Sequence, residues 1–376
     1  MKTEKDRAEI ERRLLALAEL SLEALPPMFD PGTGLFCQKA VAAGGRNVNR
    51  GANPLYTAMS AVGVLRQRLR PPEQVLPIGR ALDALHGIAA GRGAPEVAAV
   101  TLWASILAED PRGEELAAAL CARGDLGRWD SAVLGHVVHA LALAAEAYPR
   151  SSARTLAGCR AWVEELRGRF RPEVDLFAGL GRPSGARSAL IHRLTSFAAQ
   201  VYPLHGLAAY HRVTGEAPSS SLRRAGERIV AEQGPLGQWW WLYSSRKRVV
   251  LEGYPVYSVH QDGMAFMALL PLEALGEGSY LEPLARGLAW LEGENELGVD
   301  LVQREPPLIS RNIQRRGSDA DAMFGISRAN LARVAARSLV PSGDGTAADP
   351  ARLEVLRECR PYHLGWLLHA CAMMGE

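Results

Sequence analysis

Residues Gln233–Leu270 read QGPLGQWWWLYSSRKRVVLEGYPVYSVHQDGMAFMALL. The first two-thirds are polar and aromatic, with three consecutive tryptophans (Trp239, Trp240 and Trp241) in a chain that has only eight. From Ser258 the sequence passes through His260, Gln261 and Asp262 straight into an apolar run with helical spacing. A polar turn that feeds a buried helix without a break is how a helical scaffold brings side chains to the mouth of a cavity. The stretch therefore predicts both an inner helix and a rim.

Outward from it, helical periodicity covers most of the chain. Amphipathic segments are predicted near 6–25, 54–69, 73–91, 95–109, 113–122, 129–147, 151–168, 188–214, 219–233, 258–275, 279–292, 321–338 and 361–374. Gly or Pro punctuates most gaps, as at Pro71-Pro72, Asp110-Pro111 and Gly215. Period-2 alternation is scarce, so strand is expected in under about one-tenth of the chain. Short ribbons are expected at Val249-Val250-Leu251 and Leu301-Val302 and nowhere larger. About thirteen such helices form six or seven hairpins, which suits an open solenoid or a closed toroid. No strict 34- or 40-residue period emerges to favour a repeat array. Loops at 30–53, 171–187, 234–257 and 296–320 are long for a compact helical protein, and loops of that size usually carry function. The expectation is an all-α fold, one α/α toroid spanning 1–376, with these loops gathered at one rim.

Composition narrows the function. Lys plus Arg number 43 against 41 Asp plus Glu, with no basic block or acidic tail. That balance argues against a nucleic-acid or membrane-surface protein. Five scattered cysteines with no CxxC pair suit reduced thiols in a cytoplasm. The N-terminus is charged and amphipathic, and no apolar run reaches about 20 residues, so a soluble, cytoplasmic protein without membrane insertion is expected.

The segment Gln233-Gly234-Pro235-Leu236-Gly237-Gln238-Trp239 resembles the Q-x3-G-x-W core of the QW repeat found in squalene–hopene cyclases and prenyltransferase-like α/α toroids. The general organisation resembles six-hairpin sugar-active toroids: N-acylglucosamine 2-epimerases, unsaturated glucuronyl hydrolases and glucuronyl C5-epimerases. YPVYSVHQDGMA and RPYHLGW also resemble bacterial toroids encoded with polysaccharide genes, which implies enzymes of a biosynthetic cluster as partners. The cyclase resemblance implies a DxDD motif; Asp319-Ala320-Asp321 comes nearest and lacks the final acidic pair.

Several constellations could carry chemistry, and each also has a structural reading. Ser258 with Gln261 fits a capping box, which places His260, Gln261 and Asp262 in the first helical turn. There Asp262 is favoured by the helix dipole alone, or else His260, Asp262 and Tyr257 act as acid–base groups. Arg360-Pro361-Tyr362-His363-Leu364-Gly365-Trp366 opens the last helix with Pro361 at its first position. Arg360 is suited to clamp a carboxylate or phosphate, while Tyr362, His363 and Trp366 either face the ligand or close the ring. Glu292, Glu294 and Glu296 lie at a helix C-terminus, where acids oppose the dipole; pairing with Arg311, Arg315 or Arg316 would explain them, or one is a glycosidase carboxylate. Arg46, Arg50, Asn53 and Tyr56 stand at another helix entrance, and Asp130 reads as an N-cap. His136 and His139, at i and i+3, lack a third ligand in sequence and read as core histidines, as do His192, His205 and His211.

A carbohydrate-active enzyme (hydrolase, lyase or epimerase) is the function this predicts, with a small-molecule or glycan ligand and neither metal nor cofactor. Trp239 and Trp241 would be sugar platforms, with Gln261, Arg311, Arg360, Tyr362 and His363 as further binding groups. The alternatives are a terpenoid-cyclase-like enzyme with an aromatic cavity and a non-catalytic toroid that binds a glycan or a partner.

Overall fold

The structure is a computed structural model that describes residues 2–43, 46–91, 95–180, 192–318 and 345–376, together with 334, 336 and 337. Among the described residues twelve long helices build it: α1 Lys2–Ala24, α2 Pro54–Arg66, α3 Ile78–Ala89, α4 Pro95–Leu107, α5 Gly113–Cys121 and α6 Ser131–Ala147, followed by α7 Ser152–Arg167, α8 Ala198–Thr214, α9 Ser220–Ala231, α10 Ala265–Ala274, α11 Leu281–Leu291 and α12 Pro361–Met374. One turn of π-helix, His260–Met264, leads into α10. The predicted segment at 73–91 breaks at Pro77 into the single turn Pro72–Val75 and α3. The segment predicted at 321–338 falls mostly outside the described residues, as do the two aspartates and the alanine at 319–321.

Even-numbered helices form a closed inner ring. α2 packs on α4, α4 on α6, α6 on α8, α8 on α10, α10 on α12, and α12 returns to α2. Their sequences explain the placement, because α6 and α8 bury residues all round, which no surface helix tolerates. The odd-numbered helices are amphipathic and wrap the ring; α9 buries Leu222, Ala225, Gly226, Arg228 and Ile229 along one stripe. α1 closes the outer layer by packing on α11 and α12. The fold is therefore the expected α/α toroid, with six hairpins.

Glycines set the spacing at two inner crossings. A Cβ on Gly63 of α2 would lie 2.1 Å from the Gly365 carbonyl oxygen of α12, and one on Gly135 of α6 would lie 2.3 Å from the Tyr202 backbone of α8. Only a residue without a side chain permits these approaches.

Every connection from an inner to the next outer helix is short, whereas the long ones run from outer to inner helices. They gather at the rim where inner helices begin, as expected, but they are not plain loops. Strand Glu358–Cys359 pairs with Lys39–Ala43, which pairs with Arg46–Arg50. Val256–Tyr257 pairs with Asn312–Arg315, and that with Leu353–Leu356. Leu194–Ser196 pairs with Leu242–Ser244, and that with Val250–Glu252. Segments far apart in sequence are thus stitched into three-stranded ribbons, and strand slightly exceeds the expected tenth. The start predicted for α8 moves from 188 to Ala198 because Leu194–Ser196 is claimed by such a ribbon. Among the described residues, no helix is long and apolar enough to cross a membrane.

Candidate active site

The first turns of the inner helices converge at the ribbon-bearing rim. Asn53 caps α2 by accepting from the Tyr56 amide, which fixes Tyr56 at the entrance. Asp130 caps α6 by accepting from the Val133 amide. Pro361 opens α12 as expected and puts Tyr362 beside Tyr56, with ring centroids 4.5 Å apart.

Against this pair lies a cavity of about 420 Å³ lined by Lys39, Arg50, Tyr56, Arg311 and Arg360, with Gln38 and Gly51. Its cations are held from below. Glu358 receives Arg311 at 2.7 Å, Arg360 at 2.7 Å and Lys39 at 3.2 Å. Arg360 is nearly fully buried and also donates to the Gln38 carbonyl, so its fork is rigidly placed. The Arg311 guanidinium sits 5.4 Å from the Tyr257 ring centre. Three cations on one carboxylate, with Arg50 beside them, leave the cavity positive. That charge suits an acidic ligand.

A second group of side chains stands on α4, α6 and α8. His136 Nε2 lies 3.4 Å from Glu96 Oε1, and the His136 ring lies on that of Tyr202 at 3.8 Å. Tyr202 Oη accepts from Trp366 Nε1 at 3.0 Å. Burial, and then the negative charge of Asp130, push the Glu96 carboxyl up to about 8. Burial also raises Asp130, against the opposing bonds from the Val133 and Ala132 amides. Burial drops His136 to about 3, so it is neutral. Burial, and then the nearby Tyr362 hydroxyl, push Tyr202 well above its usual value, and the bond from Trp366 ties it to α12. Sequence reading took Asp130 as a cap and His136 as core, and passed over Glu96. The signal that could mark it is an acid in the first turn of an apolar inner helix, where Glu96 stands in α4.

Of the residues expected to act, His260 and His363 do reach the same end of the barrel. His363 Nε2 donates to both Asp262 carboxylate oxygens at 2.8 and 2.9 Å. Asp262 is wholly buried, however, and its carboxyl is raised by burial with His363 opposing, so the pair joins α12 to the π-turn beneath the mouth rather than facing a ligand. His260 is buried among Phe197 and Tyr257, and burial drops it to about 3. The expected capping box does not form, because the Ser258 hydroxyl donates to the Ser310 carbonyl in the rim. Gln261, also wholly buried, donates to the Tyr257 carbonyl and accepts from the Trp239 amide.

The tryptophans are not platforms. Trp239 is fully buried against Phe197, and Trp241 is buried edge-on to Tyr257. Gln233 explains this: it donates to the Gly237 and Pro283 carbonyls and accepts from Arg286, which ties the QW-like turn down onto α11. The half-buried aromatic surface of the mouth is tyrosine instead, from Tyr56, Tyr257 and Tyr362. The acidic end of α11 is satisfied differently from expectation as well. Glu292 pairs with Arg13, while Glu296 accepts from Gln238, Tyr254 and Trp290. Arg315 pairs with Glu252.

No protein-family model and no curated protein sequence matches the chain. Solved structures do match its fold. Unsaturated glucuronyl hydrolase from Bacillus sp. GL1 superposes with a TM-score of 0.58 at 11% identity, covering 96% of each chain. Its fold is theirs. A glycosyl hydrolase family 88 protein from Bacteroides vulgatus matches with a TM-score of 0.57 at 12% identity, over 97% of this chain and 99% of that one. A polysaccharide lyase matches at 0.53 and 12% identity, over 98% and 97%. The six-hairpin part of the sequence resemblance is thereby matched in solved structures.

Proposed function

We propose that this protein is a glycan-active hydrolase that cleaves an acidic oligosaccharide at the barrel mouth by general acid–base catalysis. One arrangement carries the reading: Glu96 and Asp130 stand at the starts of two neighbouring inner helices, with His136 Nε2 3.4 Å from Glu96, and burial together with the charge of Asp130 pushes the Glu96 carboxyl up to about 8. Two carboxyls pushed apart in this way divide into an acid and a base. Glu96 gives its proton to the leaving-group oxygen as the glycosidic bond breaks. Asp130 takes a proton from the water whose oxygen joins the anomeric carbon. Neutral His136, 3.4 Å from Glu96 and backed by the Tyr202 ring, flanks it on the barrel side. Arg311, Arg360, Arg50 and Lys39 bind the carboxylate of a uronate unit, with Tyr56, Tyr257 and Tyr362 against the sugar faces. Asp262 and His363 are positioning residues. The names of the solved neighbours, glucuronyl hydrolases and a polysaccharide lyase, support an acidic glycan as substrate. Five free thiols support a reducing compartment, the cytoplasm, where enzymes of a polysaccharide cluster would be partners.

The test is a screen of uronate-containing oligosaccharides for release of reducing ends, repeated with Glu96→Gln and Asp130→Asn. The proposal requires turnover by the wild type and a loss of about 10²-fold or more in each variant. Turnover that survives both substitutions would refute the assignment.

A further inference from the structure

The barrel has a second cavity, of about 890 Å³, at the end opposite the mouth. It lies among the last turns of the inner helices, where Leu107, Ala147, Arg212, Ala274 and Met373 mark its wall. Its floor is a column of stacked rings. His139 lies on His205 at 3.9 Å and against Trp103 at 4.3 Å, and His369 meets Trp103 edge-on at 4.9 Å. Trp103 and Trp366 stack at 5.7 Å above them, and this plug separates the lower cavity from the tyrosines and carboxyls of the mouth.

Two features suggest a ligand. His139 and His369 are more than nine-tenths buried, line the cavity, and have no hydrogen-bond partner on either ring nitrogen among the described residues. A buried polar group without a partner is costly, and a bound molecule would relieve it. The charges at the cavity's edge pair among themselves: Arg66 with Glu376 through one terminal nitrogen, Arg212 with Glu146, and Arg7 with Glu11 and the Met374 carbonyl, while Glu273 accepts from the Tyr280 amide. The remaining lining is apolar, from Leu143, Ala208, Leu270 and their neighbours. Burial keeps all three histidines neutral, with His205 dropped to about 3 and His139 and His369 well below the usual imidazole range. A neutral imidazole offers one donor and one acceptor, which matches a hydroxyl, and among the described residues no three such side chains are placed to hold a metal ion.

We propose that the lower cavity is a second binding site, for an uncharged, flat, mainly apolar molecule whose hydroxyl end hydrogen-bonds to His139 and His369. Its size is that of a small-molecule pocket. The ring column supplies the flat surface, and the two imidazoles select the polar end. This site is independent of the hydrolytic one and stands whether or not glycan cleavage is found.

Binding of 2-naphthol and of naphthalene to the full chain, followed by tryptophan fluorescence, tests it. The wild type is expected to bind 2-naphthol saturably and about five- to tenfold more tightly than naphthalene, the difference a matched hydrogen bond makes. His369→Phe should erase that preference while keeping the helical circular dichroism and melting temperature of the wild type. His139→Phe is a second variant with the same expected outcome, and Ala208→Leu should weaken both probes by filling the cavity. Absence of saturable 2-naphthol binding to the wild type would overturn the proposal, as would an unchanged preference in both histidine variants.

Discussion

A carboxylic acid that stays protonated near neutrality needs a dry setting and a negative neighbour, and Glu96 has both. The folded protein holds that proton to about 8, whereas the unfolded chain releases it near the ordinary value of 4.5. The folded state therefore binds more protons across this window, and stability falls as pH rises through it. Glu96→Gln should remove that slope, which urea melts at pH 5, 7 and 9 would show. The same proton predicts that hydrolytic activity declines as pH climbs past about 8. Asp262 makes the opposite kind of residue: wholly buried and bonded to His363. Deleting its carboxylate with Asp262→Ala should destabilise the fold by about 3–5 kcal/mol by leaving His363 unpartnered in the interior. An unaltered urea midpoint would show that the pair does not hold α12 to the π-turn.

At the scale of elements, helices were legible because their apolar periodicity is a local property, as in α2, α4 and α6, whose starts fall within two residues of expectation. The convergence of His260 and His363 on one end was legible too, since alternate helices of a toroid begin at the same rim. The ribbons were not. Their strands are two to five residues long and pair across as much as some 300 positions of sequence, as Glu358 does with Val41, so no window of sequence contains the pattern. The tryptophans misled for a related reason. A run of aromatics at a turn looks exposed until a distant surface, here α11 held by Gln233, covers it. Glu96 was missed because an acid in the first turn of a helix is expected from the dipole alone. The inner crossings make their own prediction. Gly135→Ala would drive a methyl into the Tyr202 backbone and should cost about 1–3 kcal/mol, with Gly63→Ala similar against Gly365. Thermal melts that leave both variants unchanged would mean the inner helices are free to spread.

For the molecule as a whole, burying neutral histidines along the axis makes the ring sensitive to acid. His136, His205 and His260 are dropped to about 3, and His139 and His369 lie well below the usual value of 6.5. The unfolded chain takes up protons near 6.5 that the folded chain refuses, so stability should fall as pH drops from 6.5 toward 3, by about 1.4 kcal/mol per pH unit for each proton. Replacing His205 with Phe should make the acid-unfolding curve shallower by about one proton. The two proposed sites also divide the toroid between its ends: a positive mouth stitched by ribbons, and, below the Trp103–Trp366 plug, an apolar cavity edged by paired charges. That division rests on where a sugar binds. A crystal structure of Glu96→Gln soaked with uronate oligosaccharides tests it most directly. The account predicts a sugar at the mouth, its carboxylate on Arg311 and Arg360 and its glycosidic oxygen beside residue 96. A sugar bound elsewhere on the ring, with the mouth empty, would contradict it.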